Sequence, residues 1–221
     1  MRPEGEQNNS GPQFDPSRAI TFDLARGTVQ LEGAPLRVLV PADALVLLCR
    51  AAGPGPIAAF GRSIGEAMGR RVSSRLAGAK PGDDQRPDDG SAVRGATLET
   101  VVEHLGGEIA LAGLGSLGLE RWGRAMVMVI DQSPLGIEGD GLLETMLEGA
   151  IEAATGKKVR ARSLARDGVR TRFFIGSERS TYRVRAWLMQ GVSWGEVLAR
   201  LHAMDTPGSM RGRAPGAGGG A

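Results

Sequence analysis

GLLETMLEGAIEAATGKKVRARSLARDGVRTRFFI, residues 141–175, is the stretch on which the fold turns. Its first half sets Leu142, Leu143, Met146, Leu147, Ala150, Ile151 and Ala154 at the i, i+3, i+4, i+7 spacing of a helix with one buried face. Gly156 stops that helix. Val159 to Ala165 and Val169 to Ile175 then read as two strands around Asp167-Gly168, a dipeptide that accepts the positive φ of a tight hairpin turn. A helix feeding an antiparallel hairpin is the unit from which the rest is read.

Working outward on the N-terminal side, the period-two run Ala125 to Ile130 pairs with Leu117 and Leu119 across Trp122-Gly123 as a second hairpin. The central residues Met126 to Ile130 are apolar on both parities, which predicts a strand buried on both faces, or on one face against helices and on the other near a partner or ligand. A helix from Thr97, its N-cap, to Ala112 precedes it, with Leu98, Val101, Val102, Leu105, Ile109 and Ala112 inward and Gly106-Gly107 as a weak point. Before that, residues 78–95 form a loop carrying Asp83, Asp84, Asp88 and Asp89. These lack the ligand order, central Gly and closing Glu of a calcium loop, so a solvated loop is the preferred reading.

Further upstream, Pro41 and Asp43 open a helix through Ala44, Leu45, Leu47, Leu48 and Ala51. Gly53-Pro54-Gly55-Pro56 breaks it, and a longer helix runs from about Pro56 to Ala77. On that longer helix Gly61, Gly65 and Gly69 recur every four residues, a near side-chain-free stripe despite a helix penalty of roughly 1 kcal/mol per glycine. Such a stripe admits another backbone, either a neighbour within the domain or a second subunit; as a subunit contact it is the candidate dimer interface. Ile20, Phe22 and Leu24 against Val29 and Leu31 suggest a small hairpin, with Leu36, Val38 and Val40 as a third short strand.

On the C-terminal side, Arg179 to Gln190 has helical character and Gly191 ends it. Ser193 to Glu196 has capping-box spacing ahead of a last helix to about Met204. The expected organisation is a polar lead over residues 1–17, one α+β domain over 18–204 with helices packed on an antiparallel sheet, and a Gly/Pro-rich tail over 205–221.

Composition bounds the function. The 221 residues are 41% hydrophobic, enough for one sizeable core. The single Cys49 excludes an internal disulfide framework and a cysteine-rich zinc site, and suits a reducing, cytoplasmic setting. No run approaches the ~18 apolar residues of a membrane span, and residues 1–16 lack a signal peptide's apolar middle. A net charge of +2 does not by itself call for nucleic acid.

The chemical inventory is thin. His104 and Glu108 lie one helical turn apart, but two ligands without a third make neither a metal site nor a catalytic set, and a surface polar pair is preferred. His202, near the last helix's end, suits the carbonyl dipole. Gly113, Gly115 and Gly118 have G-x-G-x-x-G spacing, yet they follow a helix and enter a strand, the reverse of a dinucleotide loop. No catalytic residue, metal or cofactor is therefore expected. On the last hairpin Arg160, Arg162, Arg170 and Arg172 share strand parity, a basic strip that is either a solvated face or a surface for an acidic protein partner, an anionic lipid or nucleic acid. Phe174 alone sits on the arginine side, too little stacking surface to favour nucleic acid.

The residues Leu142-Leu143-Glu144-Thr145-Met146-Leu147-Glu148-Gly149-Ala150, then Thr155-Gly156-Lys157-Lys158-Val159, Asp167-Gly168 and Phe174, resemble the closing half of the 4-vinyl reductase domain, whose fold is similar to the TRAPP vesicle-tethering subunits. The glycine-striped helix, the Thr97 helix and the Leu117 hairpin match the earlier half in order, so the resemblance covers about Pro41 to Gly176. It implies an α+β domain that dimerises and either senses a small apolar or aromatic ligand or serves as a scaffold. The cysteine pair often carried by that family falls at about Leu164 and Arg172 here, so no metal or thiol chemistry follows. A ligand pocket would lie between the Thr97 helix, the Met126–Ile130 strand and the Leu142 helix, lined by Val102, Ile109, Met126, Met128, Leu143 and Met146.

Overall fold

The computed structural model describes residues 20–31, 38–77 and 96–205. Strands β1 (Ile20–Asp23) and β2 (Thr28–Leu31) pair as a small antiparallel hairpin of their own. Helices α1 (Ala42–Ala52), α2 (Pro54–Leu76) and α3 (Leu98–Leu111) lead to strands β3 (Ser116–Trp122) and β4 (Ala125–Asp131). After a short 3-10 turn come α4 (Asp140–Thr155), β5 (Arg160–Asp167), β6 (Arg170–Gly176), α5 (Glu178–Met189) and α6 (Trp194–Asp205). The domain is α+β, with helices packed on a four-stranded antiparallel sheet of order β3-β4-β6-β5.

The deciding stretch folds as a helix and a hairpin, with the turn at Gly168-Val169, one residue beyond the expected Asp167-Gly168, because Asp167 pairs with Arg170 at the end of β5. All seven apolar positions of α4 are buried, Gly156 closes the helix, and Gly168 takes a φ of +57° in the β5–β6 turn. Each such fully buried Leu or Met side chain contributes about 1.5–3 kcal/mol. The Thr97 side chain caps α3 by accepting the Thr100 N–H at 3.2 Å. Ser177 caps α5 and Ser193 caps α6 in the same way.

β4 and β6 occupy the sheet centre, and both faces are covered. Met128, Ile130, Ala161, Phe173 and Ile175 point to an inner layer that includes α2, α3 and α4. Val127, Val129, Leu164 and Phe174 point the other way, onto Val184 of α5 and Val197, Leu198 and Leu201 of α6. The two-sided burial expected for Met126 to Ile130 is thus present, but the arginine side of β6 is not a solvated face: Phe174 is buried there because α5 and α6 fold back across it.

Gly61, Gly65 and Gly69 are not available to a second subunit. They are buried against α4: a methyl placed on Gly65 would overlap the Met146 carbonyl and come within 2.8 Å of the Ala150 nitrogen, and one on Gly61 would lie 2.5 Å from the Leu142 oxygen. Gly149 of α4 reciprocates, since a methyl there would meet the Arg62 carbonyl at 2.5 Å. The stripe serves close helix packing inside the domain, the other alternative left open by the sequence. The expected third strand is also corrected. Val38 and Val40 belong to no strand and are exposed, whereas Leu36 lies outside the described residues, as do the acidic loop over 78–95, the lead before Ile20 and the tail after Asp205.

Candidate functional site

The six residues predicted to line a pocket are brought together. Val102 and Ile109 of α3, Met128 of β4, and Leu143 and Met146 of α4 join one core cluster, with Met126 packed against it. They close on one another. Ile109, Leu143 and Met146 are fully buried, so the wall is a packed seam with no open mouth at those residues. Two clefts border β5 instead. One, about 290 Å³, is lined by Arg62, Glu152, Lys158, Val159, Arg160 and Glu178. The other, about 500 Å³ and open to solvent, runs past Ile137, Glu144, Arg162, Arg185 and Met189. Neither is lined by a residue of the predicted wall.

At one end of the seam lies a charged group that reading the sequence placed on the surface. His104 and Glu108 are both buried. The Glu108 carboxylate accepts from Arg71 Nε at 2.8 Å and is also held by Arg75, both from α2. Burying a carboxylate requires such partners, and removing one from a buried pair typically costs about 3–5 kcal/mol. The signal was present in the sequence as Arg71 and Arg75, four apart on the same helix that carries the glycines.

The four arginines of the expected recognition strip each have an acidic partner within the chain. Arg160 pairs with Glu148 at 3.2 Å and Arg162 with Glu144 at 3.4 Å, both on α4. Arg170 pairs with Asp131 at 2.6 Å, and Arg172 with Glu120 at 3.2 Å while lying 5.0 Å from the Trp194 ring centroid. Strand parity was read correctly for Arg162 and Phe174, which are cross-strand partners. Parity alone, however, does not reveal what lies over a face.

The Arg160 and Arg162 pairs belong to a larger device. Asp140, Glu144, Glu148 and Glu152 recur every four residues along the side of α4 that meets β5. Glu144 accepts the Ser163 N–H at 2.7 Å and Glu148 the Ala161 N–H at 3.0 Å, so two outward-facing backbone donors of the edge strand are filled by carboxylates. Asp140 is held by Arg166, and Arg62 of α2 joins Glu148 at 2.6 Å and Glu152 at 3.0 Å. Burial pushes the Glu144 carboxyl up from its ordinary value, against the lowering effect of the Ser163 N–H and Arg162. Across the sheet, the Arg170 hydrogen bond holds Asp131 below the usual carboxylate range. The ladder seals an edge and ties α2, α4 and β5 together.

Among the described residues, no three His, Cys, Asp or Glu side chains converge to hold a metal ion, and no helix is long and apolar enough to cross a membrane. No family model and no curated protein matches the sequence. The structure is similar to the crystal structure of the phenol-responsive sensory domain of the transcription activator PoxR with phenol, at a TM-score of 0.54 and 15% identity, over 78% of this chain and 92% of that one. What this chain shares with that sensory domain, at such identity, is its fold.

Proposed function

We propose that this chain is a non-catalytic regulatory module that responds to a small apolar or aromatic ligand taken up between α3, β4 and α4, in the cytoplasm. The same reading retains the 4-vinyl reductase resemblance of residues 41–176 as a family proposal. The observation that carries it is the fold shared with a sensory domain described as phenol-responsive. Support comes from the methionines at the seam: Met126, Met128 and Met146 meet there. Methionine is unbranched and adapts its shape, so it can yield space to a ligand without backbone rupture.

The test is native mass spectrometry of the full chain purified from its source, together with thermal melting in the presence of phenol and alkylphenols. A retained small molecule, or a melting rise equivalent to about 2.7 kcal/mol at a hundredfold excess over the dissociation constant, supports sensing. Bare chain mass with unmoved melting overturns it. The second reading, a scaffold without a pocket, draws on the closed state of the seam and on the apolar outward side of α1.

A further inference from the structure

The wider of the two clefts beside β5 lies where the helical layers part at the edge of the sheet. Its volume is about 500 Å³, within the roughly 300–1,000 Å³ of small-molecule sites. β5 contributes Arg162 and Leu164, α4 and the turn before it contribute Ile137 and Glu144, and α5 contributes Arg185, Leu188 and Met189. The three α5 residues are spaced i, i+3, i+4 and so share one side of that helix.

The lining carries unspent charge. Asp140 is held by Arg166, and Glu144 accepts the Ser163 N–H at 2.7 Å. Arg162 springs from the outer face, opposite Phe174, and bends round the edge strand to reach Glu144 of the inner layer. That contact is 3.4 Å, long for an N–H···O bond, and Arg162 Nε is buried with no partner. Arg185 is exposed and makes no ion pair or hydrogen bond among the described residues. Arg162, Arg166 and Arg185 thus face only Asp140 and Glu144, which leaves the cleft one positive charge in excess. The lining also carries open apolar surface, since Ile137 is 69% and Met189 77% exposed.

We propose that this cleft binds a small amphipathic carboxylate: a monovalent organic acid whose carboxylate lies on Arg185 and Arg162 and whose hydrocarbon body covers Ile137, Leu188 and Met189. A planar guanidinium offers parallel N–H donors that match the two oxygens of a carboxylate, and those of Arg185 are free among the described residues. The single excess charge selects the valence. A dianion such as phosphate would set surplus negative charge beside Asp140 and Glu144, a cation would add to the excess, and a neutral molecule would leave Arg185 unmatched. None of the residues lining the cleft belongs to the seam between α3, β4 and α4 except through the shared helix α4, so an acid here and a neutral aromatic there are separate binding events.

Isothermal titration of the full chain with octanoate, and with octanol as its uncharged counterpart, tests the site. Octanoate should bind saturably and octanol at least about tenfold more weakly, and Arg185→Gln should weaken octanoate by at least about tenfold, the loss expected for one charge-assisted contact. Met189→Glu should weaken it as well, by setting a carboxylate on the apolar wall. Both side chains are exposed, so both variants should melt as the wild type does. The melting rise with phenol should be the same in both variants as in wild type, which separates this site from the seam. Octanoate that does not bind, or that binds no more tightly than octanol, overturns the proposal. Octanoate that binds Arg185→Gln as tightly as wild type overturns it too, by moving the acid to the seam or elsewhere.

Discussion

The two faces of the sheet are covered by helices in different ways. On the inner face, α2 and α4 meet backbone to backbone through Gly61, Gly65, Gly69 and Gly149, and the core beneath is a large apolar cluster that includes Phe173. On the outer face, α5 and α6 rest on a smaller cluster around Phe174, at whose margin Arg172 lies over Trp194 and Trp194 meets Trp122 edge-on at 5.5 Å. The inner layer is fixed by carbonyl and amide atoms that cannot repack, whereas the outer layer is fixed by side chains that can. Rigidity should therefore differ between the layers, with the inner seam setting the stability of the whole.

The strongest way to break that comparison is Gly65→Ala. Its added methyl would overlap the Met146 carbonyl, so α2 and α4 must part; an expected loss of at least about 4 kcal/mol, or no folded protein, would show in urea unfolding. A near-wild-type midpoint would mean that the seam is adjustable. A sharper comparison uses neighbours that face opposite layers. Phe173→Ala should cost about 3–5 kcal/mol, and Phe174→Ala less, about 2–3 kcal/mol, because relaxation of α5 and α6 fills part of the void. Equal losses by the same measurement would make the two layers equivalent.

The smallest effect concerns the sealed edge. Glu144 has a carboxyl raised above its ordinary 4.5 by burial. A raised folded-state value means that the folded chain holds this proton more tightly than the unfolded chain. The linked stability is present below the ordinary value and is lost as pH rises through the raised one. Glu144→Gln keeps an acceptor for the Ser163 N–H and cannot titrate. The melting difference between wild type and variant should therefore move in the wild type's favour, by no more than about 1 kcal/mol, as pH falls from about 7 to about 5. A difference that does not change with pH would mean that burial does not penalise this carboxylate.

How much was legible follows from the range of each signal. Along α4, the β5–β6 hairpin and β4, alternation and helical spacing are local, and the helix and both strands between Leu142 and Ile175 are legible, with the turn one residue later than read, at Gly168-Val169. The glycine stripe was legible as a close contact, but not its counterpart, because Gly149 has one glycine's worth of signal on a helix that already reads as amphipathic. Arg160, Arg162 and Arg172 were read as a strip because long arginine stems look the same whether they end in water or on a carboxylate. Glu108 was taken for a surface residue because the arginines that permit its burial lie 33 and 37 residues away.

By itself, then, the sequence determined the α+β class, the order of elements from α1 onward and the apolar character of both sides of β4, since these depend on period and on turn residues a few positions apart. Tertiary structure alone decided which helix fills the glycines, where each arginine finds its carboxylate, that α5 and α6 close the second face, and that α1 is left with an apolar side outward. Those are matters of what lies opposite a residue in space, and the spacing of residues along one chain segment specifies which side of an element is apolar but not what will cover it.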